Sequence, residues 1–337
     1  MLGVTKRSEA YGDVGLVDRP DPVAKPGTVV LKTAGAGICG TDLHIFRNEY
    51  AVAPPVVMGH EVCGHVVAVG EGVDSGLIGQ RFVAESFYST CGTCRHCRTG
   101  RTNLCHARMS IGSHVDGAMA PLVEVPLVNL HPAPGFMSDA AASLAEPVAC
   151  VTNSLYGDAA YVEPGDDVLV IGPGAIGLIA GQVARLMGGN VTLRGTENDT
   201  PRLDAAGALG FAVSVVGEDL APDRFDVAVE CSGNQFGYAD ALRFLTKGGH
   251  LAQMGLSGKD SSLPTDLICY KELTLTSGFA SNPRSWRRAM TLMHSGKLDL
   301  ESLVSEVVPL SQWKRAFDRS FAADGIKFVI DPRLDEA

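Results

Sequence analysis

The sequence predicts an α/β fold in two parts, a β-rich first part and a doubly wound parallel sheet. Three observations carry that prediction. Short β-like runs separated by Gly and Pro fill the chain from residue 2 to about 148, the pattern of a barrel-like or partly open β domain. Beyond Pro164-Gly165-Asp166-Asp167, six apolar runs alternate with helical stretches, as in a parallel sheet covered on both faces. A length of 337 residues exceeds one average core and suits two domains.

In the first part the runs include 28–33, 62–69, 81–84 and 121–125. The six runs of the second part are 168–171, 191–193, 212–216, 227–229, 251–254 and 273–276. After the second of them, Thr200 offers an N-cap hydroxyl and Pro201 a first helical position. From about Ser281 the pattern gives a helix over 286–294, a loop, a helix over 312–323 and a last strand, Lys327–Ile330. Six strands already complete a sheet of this kind, so the tail is expected to return to the first part. The expected domains are 1–148 with 282–337, and 149–281.

Composition narrows the function. A net charge of −10 and scarce aromatics argue against nucleic acid and anionic membranes as partners. Nine cysteines is an odd count, and four fall within fifteen residues. That pattern reads as metal binding in a reducing compartment rather than a disulfide framework. The start, Met1-Leu-Gly-Val-Thr-Lys-Arg-Ser, has no apolar core of a secretory signal. The most apolar run, 168–184, holds four glycines and a proline, which suits a buried strand and helix rather than a membrane span. A cytoplasmic location is expected.

Gly172-Pro-Gly-Ala-Ile-Gly177 follows an apolar strand and opens a helix with Ile179, Val183 and Leu186 on one face. Gly172 permits the tight turn, Gly174 lets backbone N–H groups approach a pyrophosphate, and Gly177 lets helix and strand pack closely. The bare motif is often an ordinary turn, but here the surrounding strand, helix and repeating β/α units agree. An acid for the ribose 2′-OH is expected about 20 residues on. Gly195 occupies that place, between Arg194 and Thr196, with Glu197 just beyond. A missing acid beside an arginine and a hydroxyl leans the reading from NAD towards NADP. Ile176, Gly255 and Phe279 complete the expected cofactor contacts.

Cys91, Cys94, Cys97 and Cys105 follow C-x2-C-x2-C-x7-C. Spacings of three let thiolates of one loop converge on one ion, and four thiolates leave Zn²⁺ no open position, so this site is expected to be structural. An iron–sulfur cluster is the other chemical reading, against which the spacing speaks. A second set, Cys39, His60 and a carboxylate from Glu61 or Glu146, offers thiolate, imidazole and acid, the donors of a catalytic zinc with one place open. Neighbouring side chains such as His60 and Glu61 point apart in regular structure, so both reach one ion only where the backbone is irregular. Thr41 and His44 lie where a hydroxyl and an imidazole would pass a proton towards solvent. Taken singly, each of these is more often a core histidine, a buried cysteine, a turn hydroxyl or a surface acid. Their conjunction with the cysteine lobe and the dinucleotide motif reverses those odds.

Gly37-x-Cys-Gly-Thr-Asp42, Gly59-His-Glu61-x2-Gly64, the cysteine lobe and Gly172-x-Gly-x2-Gly177 together resemble the zinc-containing medium-chain dehydrogenase/reductase family. The segment from Cys39 to Phe46 looks most like the threonine and sorbitol dehydrogenase branches. The resemblance implies a GroES-like catalytic domain in two chain segments, a Rossmann domain between them, an active site in the cleft and a homodimer or homotetramer. It implies catalytic zinc at Cys39, His60 and Glu61 or Glu146, a proton relay through Thr41 and His44, and structural zinc at the four lobe cysteines. The arginine that polyol members carry after the sixth strand is missing around Phe279-Ala-Ser-Asn282. The expected substrate is a secondary alcohol: a polyol, a sugar acid or alcohol, or a 3-hydroxy amino acid. Its pocket is expected near Phe46, Tyr50, Phe87, Met109 and Phe279. The alternatives are a non-catalytic zinc- and nucleotide-binding relative such as a redox sensor, and a dehydrogenase of simple alcohols.

Overall fold

The computed structural model describes residues 1–157, 162–218 and 220–336. The chain forms two compact units, residues 1–146 with 281–337 and residues 147–280.

The first unit is built round the strand Thr28–Gly37. Its first half, Thr-Val-Val-Leu, is β-branched and apolar and is buried on both faces. Its second half is small, and that smallness is used. A side chain on Gly35 would come within 2.9 Å of the Asp139 carbonyl, and one on Gly37 within 2.0 Å of Glu61 Oε2. The strand pairs antiparallel with Glu61–Val69 and with Leu122–Pro126. The sheet runs on from Glu61–Val69 through Arg81–Ala84 to Leu130–Pro132. Val29, Leu31, Ile45, Val62, Val66 and Phe317 fill its core.

The tail returns to this sheet. Lys327–Ile330 pairs antiparallel with Ala36 and Gly37. Alongside it lies Val304–Val308, a parallel edge strand where the sequence suggests a loop. Adjacent Ser305 and Glu306 interrupt the apolar alternation of this five-residue run, which is too short and polar to read as a strand unaided. The two tail helices are Pro283–His294, capped by the Asn282 side chain accepting from Ser285 N at 3.0 Å, and Trp313–Phe321.

The second unit is a six-stranded parallel sheet. Its spatial order is Ala212–Val215, Asn190–Gly195, Asp167–Ile171, Phe225–Glu230, Leu245–Gln253 and Thr274–Ser277. The order reverses beside Asp167–Ile171, the first of these strands in the chain, which is where such sheets bind ligands. Helix Thr200–Ala208 begins one residue earlier than expected: Asp199 is its N-cap, and Pro201 sits in the first turn. Among the described residues, no helix is long and apolar enough to cross a membrane.

Candidate active site

Cys39 stands where the strand Thr28–Gly37 gives way to the short helix Gly40–Phe46, at the N-cap position with extended backbone. Three residues on, Asp42 turns back and its Oδ2 accepts from Cys39 N at 2.9 Å. That contact fixes the loop carrying the thiol. The other oxygen, Oδ1, is buried without a hydrogen-bond partner and lies 3.8 Å from His60 Nδ1. A carboxylate behind an imidazole in this way orients the ring and raises the basicity of its far nitrogen, the usual support of a metal-binding histidine.

His60 follows Gly59, whose φ of +92° puts it in the left-handed region. A side chain there would meet Met119 at 2.7 Å, so only glycine serves. This break supplies the irregularity that the adjacent pair requires. The ligand atoms of Cys39, His60 and Glu61 all lie within 4.8 Å of one another. Glu146, in the first turn of helix Ala145–Leu155, lies outside that group. Its Oε1 accepts from Ser86 Oγ at 3.2 Å.

Glu61 has a second partner that the sequence did not suggest. Lys327, on the returning strand, donates to both Glu61 oxygens at 2.8 and 2.9 Å and to the Ile38 carbonyl at 3.0 Å. Burial pulls the Lys327 pKa down, but Glu61 and Cys39 outweigh it and hold the ammonium charged. His60 behaves alike: burial lowers its pKa, while Asp42, Cys39 and Glu146 lift it well above the usual imidazole range. The field at this spot is strongly negative, and such a field suits a divalent cation.

The remaining expected residues sit close by. Thr41 and His44 share the helix with Asp42. His44 Nδ1 is 2.7 Å from Glu49 Oε2.

The four lobe cysteines also gather their sulfurs within 4.8 Å. Pairs Cys94–Cys97, Cys105–Cys91 and Cys91–Cys97 stand at 3.5, 3.6 and 3.9 Å, too far for a disulfide. Backbone N–H groups of Cys91, Cys94 and Cys97 point at Cys105, Cys91 and Cys94 sulfurs. The Cys94 N–H leads in holding the Cys91 thiol down to about 5, whereas burial pushes Cys97 up to about 11. Protons alone therefore leave the cluster mixed, and a divalent cation is what allows all four to become thiolates.

In the second unit Gly172 has φ +94°, and a side chain on it would strike Ser232 N at 2.8 Å. One on Gly177 would meet the Gly172 carbonyl at 2.0 Å, while Gly174, at the N-cap of helix Ala175–Leu186, faces open space. This is a cradle in which backbone N–H groups meet an anion unobstructed. Ile176 is half-buried in the first turn. Gly195 packs against the cradle, since a side chain there would touch Pro173 at 2.9 Å. Gly255 donates its N–H to the Glu230 carbonyl at 2.9 Å, and the Phe279 carbonyl accepts from Asn153 at 3.2 Å. Glu230, buried at the end of its strand, also takes the N–H groups of Ser232 and Gly233. It shapes the turn beside Gly172 and Gly255, and nothing in its spacing marked it.

The reading of Arg194 needs correction. Its guanidinium is buried, donating to Ser214 Oγ at 2.6 Å and to Asp240 at 3.3 Å and lying over the Phe244 ring. It is committed inside the unit and cannot serve a 2′-phosphate. Thr196 is engaged as well, its N–H and Oγ1 both donating to Asp199 Oδ2 at 2.9 and 2.8 Å.

Comparison with known proteins decides the family. Residues 25–135 match the alcohol dehydrogenase GroES-like domain, and residues 175–295 match the zinc-binding dehydrogenase family. The chain belongs to the zinc-containing medium-chain dehydrogenase/reductase family. It is 32% identical to a sorbitol dehydrogenase of Halalkalibacterium halodurans, over 98% of this chain and 99% of that one. It is 33% identical to a D-arabitol-phosphate dehydrogenase of Enterococcus avium, over 100% and 99% respectively. Among solved structures it is similar to a zinc-binding dehydrogenase of Sinorhizobium meliloti bound to NADP, with TM-score 0.88 and 28% identity over 98% of this chain and 99% of that one. This medium-chain dehydrogenase is an oxidoreductase that moves a hydride between a secondary alcohol and NAD(P).

Proposed function

We propose that the chain oxidises a polyol, a sugar acid or alcohol, or a 3-hydroxy amino acid at Cys39, His60 and Glu61, with Zn²⁺ held there. The observation that carries the reading is the convergence of those three ligand atoms within 4.8 Å, with Asp42 Oδ1 aimed at His60. The donor set fits the ion: one thiolate, one imidazole and one carboxylate nearly balance its charge and leave a place open. When bound, zinc makes the substrate hydroxyl more acidic, and the nicotinamide accepts the hydride.

The chain's own residues do the rest. Asp42, with Oδ1 3.8 Å from His60 Nδ1, favours the tautomer that carries its proton on the side of the acid. Lys327 fixes the Glu61 carboxylate and takes part of its charge. Thr41 receives the substrate's proton and His44 carries it to solvent, with Glu49 keeping Nδ1 engaged so that Nε2 is the exchanging atom. Glu146, accepting from Ser86 Oγ, is a further carboxylate whose charge reaches His60. The four lobe cysteines hold a second zinc that shapes the fold of residues 91–105.

Gly172, Gly174 and Gly177 hold the pyrophosphate of NAD(P). The lean towards NADP has lost Arg194 as its support, and Gly195 alone argues for it. A homodimer or homotetramer in the cytoplasm remains our reading, in keeping with nine cysteines that form no disulfide.

The test is a panel of polyols, sugar acids and 3-hydroxy amino acids offered with NAD and with NADP to the zinc-loaded protein. Deuterium moving from the carbinol carbon of one of them to the nicotinamide supports the proposal. Failure of every secondary alcohol with both cofactors would exclude it.

A further inference from the structure

Arg108 belongs to neither the candidate metal set nor the cysteine cluster. It lies three residues past Cys105, just before the short strand Met109–Ser110, which pairs with Phe87–Ser89. Its guanidinium Nη2 is 3.5 Å from Ser86 Oγ, and Ser86 in turn donates to Glu146. Two short steps thus separate it from a carboxylate whose charge reaches His60. Nε is buried with no hydrogen-bond partner, and no carboxylate among the described residues pairs with the side chain. The 3.5 Å contact is longer than an ordinary hydrogen bond.

The stretch between Glu85 and Asp116 is basic in sequence, with four arginines and no aspartate or glutamate in a chain of net charge −10. Burial and then the charge of Arg108 lower the pKa of His114, so the two basic groups feel each other. His114 Nδ1 is occupied by Ser113 Oγ at 3.0 Å. A buried guanidinium edge left without an acceptor is costly, whereas filled by a planar or tetrahedral anion it makes paired charge-assisted bonds.

We infer that Arg108 binds an anionic group on the substrate, a phosphate or a carboxylate, and so selects phosphorylated polyols or sugar acids over neutral polyols. The inference rests on the dehydrogenase reading and narrows its substrate class. The Arg108 guanidinium takes the oxygens of that group. The hydroxyl to be oxidised then lies towards Glu146 and His60.

The experiment compares D-arabitol, D-arabitol 5-phosphate and D-gluconate on the zinc-loaded enzyme, with Arg108→Gln and Arg108→Lys beside the unchanged protein. We expect at least one charged substrate to exceed D-arabitol in kcat/KM by about ten- to a hundredfold, the scale of a hydrogen-bonded charge pair. Arg108→Gln should bring that ratio close to one, mainly through KM, and Arg108→Lys should restore part of it. The better of the two charged substrates tells phosphate from carboxylate. A ratio near one in the unchanged enzyme, or a ratio that Arg108→Gln leaves intact, overturns the inference. Should none of the three be oxidised, the wider panel of secondary alcohols decides whether the dehydrogenase reading fails. Calorimetry with inorganic phosphate then judges the subsite separately: binding weakened about tenfold or more by Arg108→Gln upholds it, and equal Kd values refute it.

Discussion

Lys327 Nζ lies 2.8 and 2.9 Å from the two carboxylate oxygens of Glu61, with side-chain exposures of 5% and 0%. The pair joins the last strand of the chain to the candidate metal site, 266 residues earlier in sequence. Removing one partner strands the other charge. Lys327→Met should therefore cost about 3–5 kcal/mol of stability. The double variant Lys327→Met, Glu61→Gln should recover much of that loss. Urea unfolding of the unchanged protein, Lys327→Met, Glu61→Gln and the double variant checks the cycle, and additive losses would mean the pair is not coupled.

Gly177 has no room for a side chain, because one would lie 2.0 Å from the Gly172 carbonyl. Gly177→Ala must push helix Ala175–Leu186 off its strand and splay the anion cradle. NADH binding should weaken by about tenfold or more, given the usual cost of overpacking. Fluorescence titration of NADH measures it, with circular dichroism confirming that the helices persist.

The lobe cysteines answer to a different assay. Cys97→Ala removes one of the four sulfurs gathered within 4.8 Å, and a closed tetrahedral site does not survive on three thiolates and a methyl group. Elemental analysis should show the loss of one zinc per chain, with a lower thermal midpoint. A variant that keeps its full zinc content and midpoint would refute the structural role.

Burial holds His250 down to about 4, and its Nε2 is 2.7 Å from Thr276 Oγ1. In the unfolded chain the same ring titrates near 6.5. Between those values the unfolded state binds more protons than the folded one, so stability is complete above about 6.5 and is lost as pH falls towards 4. His250→Gln should flatten that part of the stability–pH curve. Denaturation midpoints from pH 7 to pH 4.5 would show it, and parallel curves for both proteins would deny His250 the effect.

Much of this was legible in the sequence because it is local. The parallel sheet announces itself in six apolar runs, and the cradle in three glycines at fixed spacing. The lobe shows in four cysteines, and the candidate metal set in Cys39 and the His60-Glu61 pair. What escaped depends on contacts far apart in the chain. Lys327 reads as the polar start of a last strand, and only the pairing of that strand with Gly37 carries its ammonium to Glu61. Asp42 stands in a motif visible from sequence, but its aim at His60 needs the left-handed turn at Gly59. Arg194 misled for the opposite reason: its position beside Gly195 suggested a phosphate, and strand alternation sends its side chain into the unit towards Ser214 and Asp240.

The most direct trial of the account is Cys39→Ser, assayed for zinc and for turnover on the same preparation. The account predicts that the variant folds, keeps the lobe's zinc and loses the other. Its alcohol oxidation should fall by about a thousandfold or more, the scale of several kcal/mol of metal-derived stabilisation. Full zinc content with unchanged turnover would contradict it.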